Sequence, residues 1–445
     1  MKNRFNLKLN RKFFLENLVL KAGDLATGGM FVSKLKEWRE ICRLPKEKID
    51  ELQSQKLREI LSFSVKNSPF YNLQNITSNT DPFVWLKNFP VLKKQSFRDN
   101  LEFFITEKNV KKLIAITSSG STGPPSKVFF DKKVLSNNRA LQILWWEWAS
   151  YEFGNSILQT GVNMNRSKEK AIKDKLLNTR YISAMSHSEE EILKELDHLQ
   201  KNPRDHFVAY ASSLYLFAKT AINHKFTSIR FKSVISLGEK LLPEFRETIE
   251  TAFSCKVFDT YGASEGFLIA SQCSEGNYHI MSPHVVVELL DDYDREVKPG
   301  QVGRVILTGL DNFTTPLIRY ELGDMAVKSK LKKCPCGMEL PLLGEVIGRQ
   351  TEFINTPSGK YITVQNVVRV LKNFPEIDQF KVVQNKKGEI RILYVLNKEY
   401  NLLNHSEVKI MFEEVFSESL DLSFEKVSFL PKAKTGKFQL IEREG

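Results

Sequence analysis

The first hundred residues repeat apolar positions at close to the period of an α-helix. One helix is predicted from Lys48 to Val65, and the Ser68-Pro69 pair ends it. Its apolar positions keep near-helical spacing: Ile49, Leu52, Leu57, Ile60 and Leu61. We therefore expect residues 1–100 to form a helical segment of a larger domain.

From residue 113 to about residue 260, short β-rich runs alternate with helical segments. The predicted strands are Leu113–Ile116, Ser156–Gly161, Tyr181–Met185, Phe207–Tyr210, Val234–Leu237 and Lys256–Phe258. The predicted helices are Val134–Ser150, Glu189–Lys201, Ser212–His224 and Pro243–Phe253. Such alternation predicts an α/β fold with a mostly parallel sheet covered by helices.

After residue 284 the pattern changes to β-hairpins. Val285–Leu290 and Arg304–Gly309 flank a polar loop, and a compact tail follows Gly348-Arg349. The tail is predicted to contain a hairpin, a helix and a strand: Phe380–Gln384 with Ile390–Val395, then Ser406–Phe416 and Val427–Leu430. The expected division is a helical segment (1–100), a core with a β-rich subdomain (101–348) and a small α+β domain (349–445).

Charge and cysteine usage narrow the classes of function. The chain of 445 residues carries a formal net charge of +12, and the segment Lys2 to Lys21 mixes basic with apolar residues. That segment could lie on an anionic membrane surface; the alternative is a helix packed on the main domain with a solvated basic face. No nucleic-acid-binding motif accompanies the charge. Five cysteines and no long apolar run predict a cytoplasmic protein.

A run rich in glycine and hydroxyl groups follows the first predicted strand. Glycine lets the backbone turn its N–H groups inward, hydroxyls add donors, and a closing lysine adds charge, so the run could wrap a polyphosphate. It lacks the Gly-Lys-Ser/Thr ending of a Walker A loop. A surface linker is the plainer interpretation. The candidate phosphate-binding residues are Thr117, Ser118, Ser119, Gly120, Ser121, Thr122, Gly123 and Lys127.

Further motifs occur in a fixed order after predicted strands. Gly238-Glu239 follows one strand and Tyr261-Gly262-Ala263-Ser264-Glu265 follows the next, at the sheet edge where open α/β sheets bind ligands. Arg319-Tyr320-Glu321-Leu322-Gly323-Asp324 places a carboxylate in a glycine turn, where it could hold a ribose diol. Pro431 to Lys437 closes the series. Each motif alone is typical of an ordinary turn, but their order is harder to obtain by chance.

This order resembles the adenylate-forming superfamily of acyl-CoA ligases, adenylation domains and luciferases. The most similar branch contains the phenylacetate–CoA ligases and the capsular-polysaccharide CapK proteins, and the resemblance covers about residues 45–440. It implies that the Thr117–Lys127 loop cradles the phosphates of ATP and that Gly238 and Glu239 flank the adenine. It also implies a mobile C-terminal domain that carries the catalytic lysine, Lys437.

The resemblance assigns the remaining nucleotide and metal contacts. Tyr261, followed by Gly262, would stack on the adenine, and Ser264 would contact the α-phosphate. Glu265 would hold Mg²⁺. Asp324 would bind the ribose hydroxyls, with Arg349 nearby.

Adenylate formation needs no general base, because the attacking carboxylate is already ionised; it needs in-line positioning and charge neutralisation at the α-phosphorus. Two positions depart from the family pattern. Thr351 replaces an acidic hinge residue, and Leu440 stands near a position that is often basic. Both departures weaken the case for CoA as the acceptor.

Four further residues could hold a structural metal ion. Cys334 and Cys336 form a Cys-Pro-Cys-Gly pair, and Cys273 with His279 would complete a Cys₃His set suited to zinc. The alternative is a pair of buried thiols in a turn.

The sequence therefore predicts an AMP-forming ligase that uses ATP and Mg²⁺ to activate a carboxylic acid and then transfers the acyl group to CoA. Three alternatives stay open. They are an amine or amino-sugar acceptor in surface-polysaccharide assembly, adenylyl transfer that stops at the AMP ester, and a non-catalytic relic.

Overall fold

The computed structural model describes residues 12–74, 76–107, 110–117, 126–161, 168–183, 189–349, 353–355, 361–363, 367, 370–371, 373–385, 388–416, 418–430 and 440–443. Two compact units divide the chain. One lies within Met1–Leu241 and Phe245–Val346, and the other lies within Leu242–Glu244 and Ile347–Gly445.

The start of the first unit is helical, as predicted. A π-helical turn, Leu15–Val19, leads into seven helices: α1 (Leu20–Thr27), α2 (Phe31–Ile41), α3 (Lys46–Asn67), α4 (Pro69–Asn72), α5 (Pro82–Lys87), α6 (Lys94–Asp99) and α7 (Leu101–Phe104). Helix α3 ends beside Ser68-Pro69 because proline disfavours a helical conformation in the residue before it. No helix in the described part of the chain is long and apolar enough to cross a membrane.

An eleven-stranded sheet forms the centre of the first unit. The order of its strands, whose residue ranges follow below, is β10-β11-β12-β13-β9-β8-β7-β6-β5-β3-β4. Its parallel half contains β3 (Ile157–Gly161), β4 (Thr179–Ser183), β5 (His206–Tyr210), β6 (Ser233–Leu237) and the first part of β7 (Lys256–Ala263). The helices between these strands are α8 (Lys132–Trp148), α9 (Lys168–Leu176), α10 (Glu189–Lys201), α11 (Ala211–Asn223) and α12 (Pro243–Phe253). The predicted α/β class is confirmed.

Neighbouring residues of the parallel strands enter different cores. Helices α2 and α8 cover the face that carries Ile157, Val208, Ile235 and Phe258. Helices α10, α11 and α12 cover the face that carries Leu158, Phe207, Val234 and Val257. Because successive side chains point to opposite faces of a strand, a sheet buried on both faces needs apolar residues at every position.

The structure corrects two details of this region. The predicted strand Leu113–Ile116 does not join the large sheet; it forms β1 (Ile114–Thr117), which pairs antiparallel with β2 (Lys127–Phe130) as a separate hairpin. Helix α9 was not predicted, because its sequence is mostly polar and lacks an apolar stripe.

The antiparallel half of the sheet consists of β8 (Phe267–Gln272), β9 (Tyr278–Ile280), β10 (Val285–Leu290), β11 (Val302–Gly309), β12 (Tyr320–Lys328) and β13 (Leu342–Arg349). A single core cluster joins this half to α3 and to the short helices that follow it. Residues 322–324 of β12 bulge outward, because the register with β11 shifts between Arg304 and Ile306.

The second unit has its own core. Its four-stranded sheet has the order β18-β17-β16-β19, with β16 (Ile377–Gln384), β17 (Ile390–Leu396), β18 (Leu422–Lys426) and β19 (Ile441–Arg443). A two-stranded sheet, β14 (Phe353–Asn355) with β15 (Tyr361–Thr363), and helix α13 (His405–Phe416) complete the described elements of its fold. The predicted strand Val427–Leu430 is wrong, because the segment that pairs with β17 is Leu422–Lys426.

A partly buried ion-pair network ties α3 and α8 to the β-rich half of the first unit. Lys56 of α3 donates to Asp311 Oδ1 at 2.8 Å and to the Pro283 carbonyl at 2.9 Å. Asp311 Oδ2 lies 2.6 Å from His284 Nδ1 and accepts from the Asn137 amide at 2.9 Å. Burial raises the pKa of Asp311, but Lys56 and His284 outweigh it and lower that pKa to about 2. The carboxylate is therefore ionised throughout the ordinary pH range.

Replacing Lys56 with Met should destabilise the protein by up to about 2 kcal/mol at pH 7, because it removes the strongest of the interactions that lower the Asp311 pKa below its ordinary value of 3.8. A carboxylate whose pKa is lower in the folded state than in the unfolded state stabilises the fold at pH values above its unfolded-state pKa. This stabilisation is lost as the pH falls towards the folded-state pKa. The difference in the free energy of unfolding between Lys56→Met and wild type should thus become smaller from pH 4 towards pH 2. Urea-unfolding midpoints measured at pH 7 and through this range provide the check.

Lys48→Met is the matched control, because Lys48 lies on the same helix and forms an exposed ion pair with Glu51. This control should unfold at the wild-type urea concentration. An equal destabilisation of Lys56→Met at pH 2 and pH 7 would contradict the assignment to Asp311.

Candidate active site

The glycine- and hydroxyl-rich run connects the two strands of the β1–β2 hairpin. Thr117 and Lys127 are the last paired residues of that hairpin, so the two ends of the run lie side by side. Lys127 is exposed, with its Nζ 5.0 Å from the centre of the Phe129 ring. The other predicted phosphate-binding residues, Ser118, Ser119, Gly120, Ser121, Thr122 and Gly123, lie outside the described residues.

Strands β5, β6 and β7 are parallel neighbours, so their carboxyl ends meet at one edge of the sheet. Gly238-Glu239 follows β6 at this edge, and Ser264-Glu265 follows β7. The pairing of Ser236 with Asp259 therefore brings the Gly238-Glu239 motif and the motif that begins at Tyr261 to the same edge of the sheet.

Tyr261 and Asp324 lie in hydrogen-bond contact. The Tyr261 hydroxyl donates to Asp324 Oδ2 at 2.8 Å, and the bulge in β12, with Gly323 at φ +83°, lies at the carboxylate. Gly262 follows the tyrosine at a close backbone approach, where an added Cβ would lie 2.9 Å from the Phe267 carbonyl oxygen. An aromatic ring and a carboxylate are thus presented side by side by two different strands.

Glu265 is buried, with 5% of its surface exposed, and has a cationic partner. Its Oε1 accepts from Lys94 Nζ at 3.0 Å and from the Tyr320 hydroxyl at 3.2 Å. Its Oε2 has one long contact among the described residues, with Ser264 Oγ at 3.4 Å. The next residue, Gly266, has φ +92°, and a side chain there would meet the ring of Phe130. Glu265 therefore offers one oxygen to a further ligand.

Sequence reasoning assigned no role to Lys94 or Tyr320. Tyr320 lies inside the Arg319–Asp324 motif, but the motif does not reveal that this ring points towards Glu265. Lys94 is the first residue of α6 and lies in no quoted motif. No local signal could have found it, because only the packing of α6 beside β12 brings its ammonium to the carboxylate.

Glu239 caps a helix in this structure. Its Oε2 accepts from the backbone N–H of Ser212, in the first turn of α11, at 2.9 Å. A carboxylate at this position is favoured by the positive end of the helix dipole. Gly238 has φ +71°, which allows the sharp turn out of β6 that places Glu239 there.

Two predicted site residues belong to the second unit or its border. Lys437 and the hinge position Thr351 lie outside the described residues. Arg349 is the last residue of β13, and only its backbone is described.

The four predicted metal ligands lie together. The candidate ligand atoms of Cys273, His279, Cys334 and Cys336 all lie within 4.8 Å of one another. Cys273 Sγ is 3.6 Å from Cys334 Sγ, and Cys336 Sγ is 3.3 Å from His279 Nε2. His279 Nδ1 faces the Leu340 carbonyl at 3.3 Å, which leaves Nε2 directed at the thiol. Burial lowers the pKa of His279, which favours the neutral imidazole that binds metals.

Strand pairing brings these ligands together from distant parts of the chain. Leu342 of β13 pairs with His279 of β9, and β9 pairs with β8, whose end precedes Cys273. The Asn277 amide, in the turn between β8 and β9, donates to Cys334 Sγ at 3.3 Å.

Comparison with known proteins identifies the architecture. Residues 354–444 match the family model for the CapK C-terminal domain. Protein CapK of Staphylococcus aureus is 25% identical over an alignment of 418 residues, and the match covers 87% of each chain. Phenylacetate-coenzyme A ligase of Thermus thermophilus is 23% identical and covers 79% of this chain and 81% of its own. Over most of its length the chain is therefore similar in sequence to CapK and to phenylacetate–CoA ligase.

Two solved structures of other proteins share the fold. A 2-hydroxyisobutyryl-CoA ligase in the postadenylation state superposes with a TM-score of 0.72 at 15% identity, over 90% of this chain and 91% of that one. The amide bond synthetase McbA of Marinactinospora thermotolerans has a TM-score of 0.51 at 15% identity, over 75% and 68%. The resemblance to the adenylate-forming ligases that the sequence predicted is confirmed.

Proposed function

We propose that this protein is an AMP-forming ligase that activates a carboxylic acid with ATP and passes the acyl group to CoA. The observation that carries the proposal is the grouping of Tyr261, Asp324 and Glu265 around the carboxyl end of β7, within the fold of such ligases. Tyr261 would stack on the adenine and Asp324 would bind the ribose. The Thr117–Lys127 loop would hold the β- and γ-phosphates.

Glu265 is the proposed Mg²⁺ ligand, since hard cations prefer carboxylate oxygens and the described residues give its Oε2 only the long contact with Ser264. The ion would neutralise phosphate charge. In its absence Lys94 balances the Glu265 charge at Oε1. A buried carboxylate without a cationic partner would be strongly destabilised, and Lys94 supplies that partner.

The proposed reaction has two steps. An oxygen of the substrate carboxylate attacks the α-phosphorus of ATP, the bond to the β-phosphate oxygen breaks, and pyrophosphate leaves. The CoA thiol then loses its proton to solvent and attacks the acyl carbonyl, and AMP leaves with the electron pair of the broken C–O bond. Lys437 would stabilise charge at the α-phosphate in the first step.

Pyrophosphate release with ATP and Mg²⁺ should depend on a carboxylic acid and should increase with CoA. Lys437→Ala should reduce the release by at least about 100-fold and leave ATP binding largely intact, because a charge-stabilising donor acts mainly in the transition state. The measurement is coupled pyrophosphate detection across a panel of carboxylic acids, with and without CoA.

Lys434→Ala is the matched control, since it removes a lysine from the same segment and should keep near wild-type release. Near wild-type release by Lys437→Ala would refute the role of Lys437. If no carboxylic acid causes pyrophosphate release although the protein binds ATP, a non-catalytic relic or an adenylyl transfer to another substrate class would be favoured.

An amine acceptor is the second candidate. CapK is one of the curated relatives, and an amide bond synthetase shares the fold. Thr351 also stands where acyl-CoA ligases usually carry an acidic hinge residue. In the panel above, acid-dependent release that ignores CoA but yields product with an amine or amino sugar would move the assignment to an amide-forming ligase of surface-polysaccharide assembly.

We also propose that the cysteine–histidine cluster binds structural zinc. Thiolates bound to one zinc ion at about 2.3 Å in tetrahedral geometry lie about 3.8 Å apart. The Cys273–Cys334 separation of 3.6 Å fits this value. The zinc would cross-link the β8–β9 turn to the segment before β13.

Protein purified without a His tag should contain about one zinc ion per chain, because four closely grouped ligands complete a tetrahedral structural site. Elemental analysis provides the measurement, and Cys336→Ser should lower the zinc content. Cys42→Ser is the control, since Cys42 lies outside the cluster and should leave the metal content unchanged. Absence of zinc together with freely titrating thiols would refute the site.

The remaining proposal concerns the N-terminal helix, residues 12–27. Phe14, Leu18 and Leu25 are 51%, 57% and 88% exposed, and spacings of four and seven residues place them on one face. The two acidic residues of the helix are engaged elsewhere: Glu16 pairs with Arg39, and Asp24 accepts from the first N–H groups of α2. The exposed face is therefore apolar and basic.

The positive charge of the residues that precede this helix favours a negatively charged partner for its exposed face. Residues 1–11 contain four basic residues and no acidic residue: Lys2, Arg4, Lys8 and Arg11. Basic residues next in the sequence to an exposed apolar helix face favour an anionic lipid surface. We propose that this cytoplasmic protein, whose five cysteines are free thiols, contacts anionic membranes peripherally through this helix.

The wild-type protein should sediment with vesicles that contain phosphatidylserine and should not sediment with neutral phosphatidylcholine vesicles. Leu18→Glu should abolish this binding, because it puts an anion on the face that meets the lipid. Leu73→Glu, at another position with 74% exposure, is the control and should bind like wild type. Failure of the wild type to bind anionic vesicles, or self-association through this face instead, would overturn the proposal.

A further inference from the structure

The cysteine–histidine cluster lies at one end of the β8–β9 hairpin. Gln272 directly precedes Cys273, and Tyr278 directly precedes His279. Gln272 and Tyr278 are also paired across the hairpin. Hydrogen bonds close the turn between them, from Cys273 N to the Asn277 carbonyl at 3.0 Å and from Gly276 N to the Cys273 carbonyl at 2.9 Å. The cluster and these two side chains therefore belong to one small, tightly bonded element.

Both side chains reach the same residue of β7. The Gln272 Oε1 accepts from the backbone N–H of Asp259 at 3.1 Å, and the Tyr278 hydroxyl donates to Asp259 Oδ2. Asp259 is 6% exposed, so its carboxylate depends on protein donors rather than on water. Arg246 donates to the same Gln272 Oε1 at 2.7 Å. These contacts fix the backbone and the side chain of Asp259 together.

Asp259 stands two residues before Tyr261 on the same strand. Residues i and i+2 share a face of a β-strand, so a displacement of Asp259 is transmitted to the tyrosine ring. Thr260, between them, holds the strand to β6 through a hydrogen bond to the Ser236 carbonyl at 2.8 Å. The register of β7 with β8 shifts directly after Tyr261, so the ring lies at the last regularly paired position.

We propose that the cysteine–histidine cluster positions the nucleotide-binding end of β7, and that Tyr278 is the positioning residue through which it acts. The cluster holds the β8–β9 turn, the turn holds Tyr278 and Gln272, and these hold Asp259 beside Tyr261. This inference rests on the proposed ATP site. It makes the affinity for ATP depend on a group of thiols that does not touch the nucleotide.

The experiment is a double-mutant cycle on ATP affinity with Tyr278→Phe and Cys336→Ser. Each single variant should weaken ATP binding about five- to tenfold, because each removes one link of the same chain. The double variant should bind ATP about as well as the weaker single variant, whereas independent effects would multiply. Isothermal titration with ATP and Mg²⁺ gives the affinities, and elemental analysis should find the metal content of Tyr278→Phe equal to wild type.

Two controls separate positioning from general damage. Tyr293→Phe alters a tyrosine that is 80% exposed on a distant loop and should leave ATP affinity unchanged. Thermal unfolding of each variant should still show a folded protein at the titration temperature. Steady-state kinetics of Tyr278→Phe should show a raised KM for ATP with a kcat close to wild type, which general loss of active protein would not produce.

The outcomes distinguish this inference from the proposed function. The positioning inference is overturned if wild-type protein binds ATP but the effects of the two substitutions on ATP affinity multiply. It is also overturned if Tyr278→Phe binds ATP normally. In both cases the ligase proposal stands. If wild-type protein binds no ATP, both are overturned.

Discussion

Strand β7 changes its pairing half-way along its length, and the candidate active site depends on that change. Residues 256–259 pair parallel with β6, and residues 260–263 pair antiparallel with β8. The parallel half brings the strand end to the edge where β5 and β6 also end. The antiparallel half then returns the chain through a tight turn that contains Ser264 and Glu265. One strand thus delivers an aromatic ring and a buried carboxylate to the same place.

Buried charges hold the surroundings of that strand in position. Glu265 meets Lys94, Asp311 meets Lys56, and Arg319 meets Glu288 at 3.1 Å. Each pair joins elements that are distant in the sequence. In a low-dielectric interior an unpaired charge is costly, so each pair strongly favours one arrangement of its elements. Through Lys94 and Lys56 the helical N-terminal segment therefore supplies cations for the carboxylates of Glu265 and Asp311.

The cysteine–histidine cluster likewise holds distant segments together, at the far end of the β8–β9 hairpin. A short hairpin with a three-residue strand such as β9 has little hydrophobic surface with which to hold its turn. A zinc cross-link in that turn would replace the missing core. Through Gln272 and Tyr278 the stiffness of the turn would reach Asp259, and so the nucleotide end of β7.

Local patterns along the chain are enough to specify most elements, because helix and strand periodicities are properties of neighbouring residues. Helices Glu189–Lys201 and Pro243–Phe253 were predicted to the residue, and the ordered motifs were sufficient to suggest the adenylate-forming ligase fold. Packing between distant segments settles everything else. It separates the β1–β2 hairpin from the large sheet, rejects the predicted strand Val427–Leu430, and brings Lys94 to Glu265. These features depend on which distant segments pair in the fold. The periodicity within a single segment carries no information about that pairing.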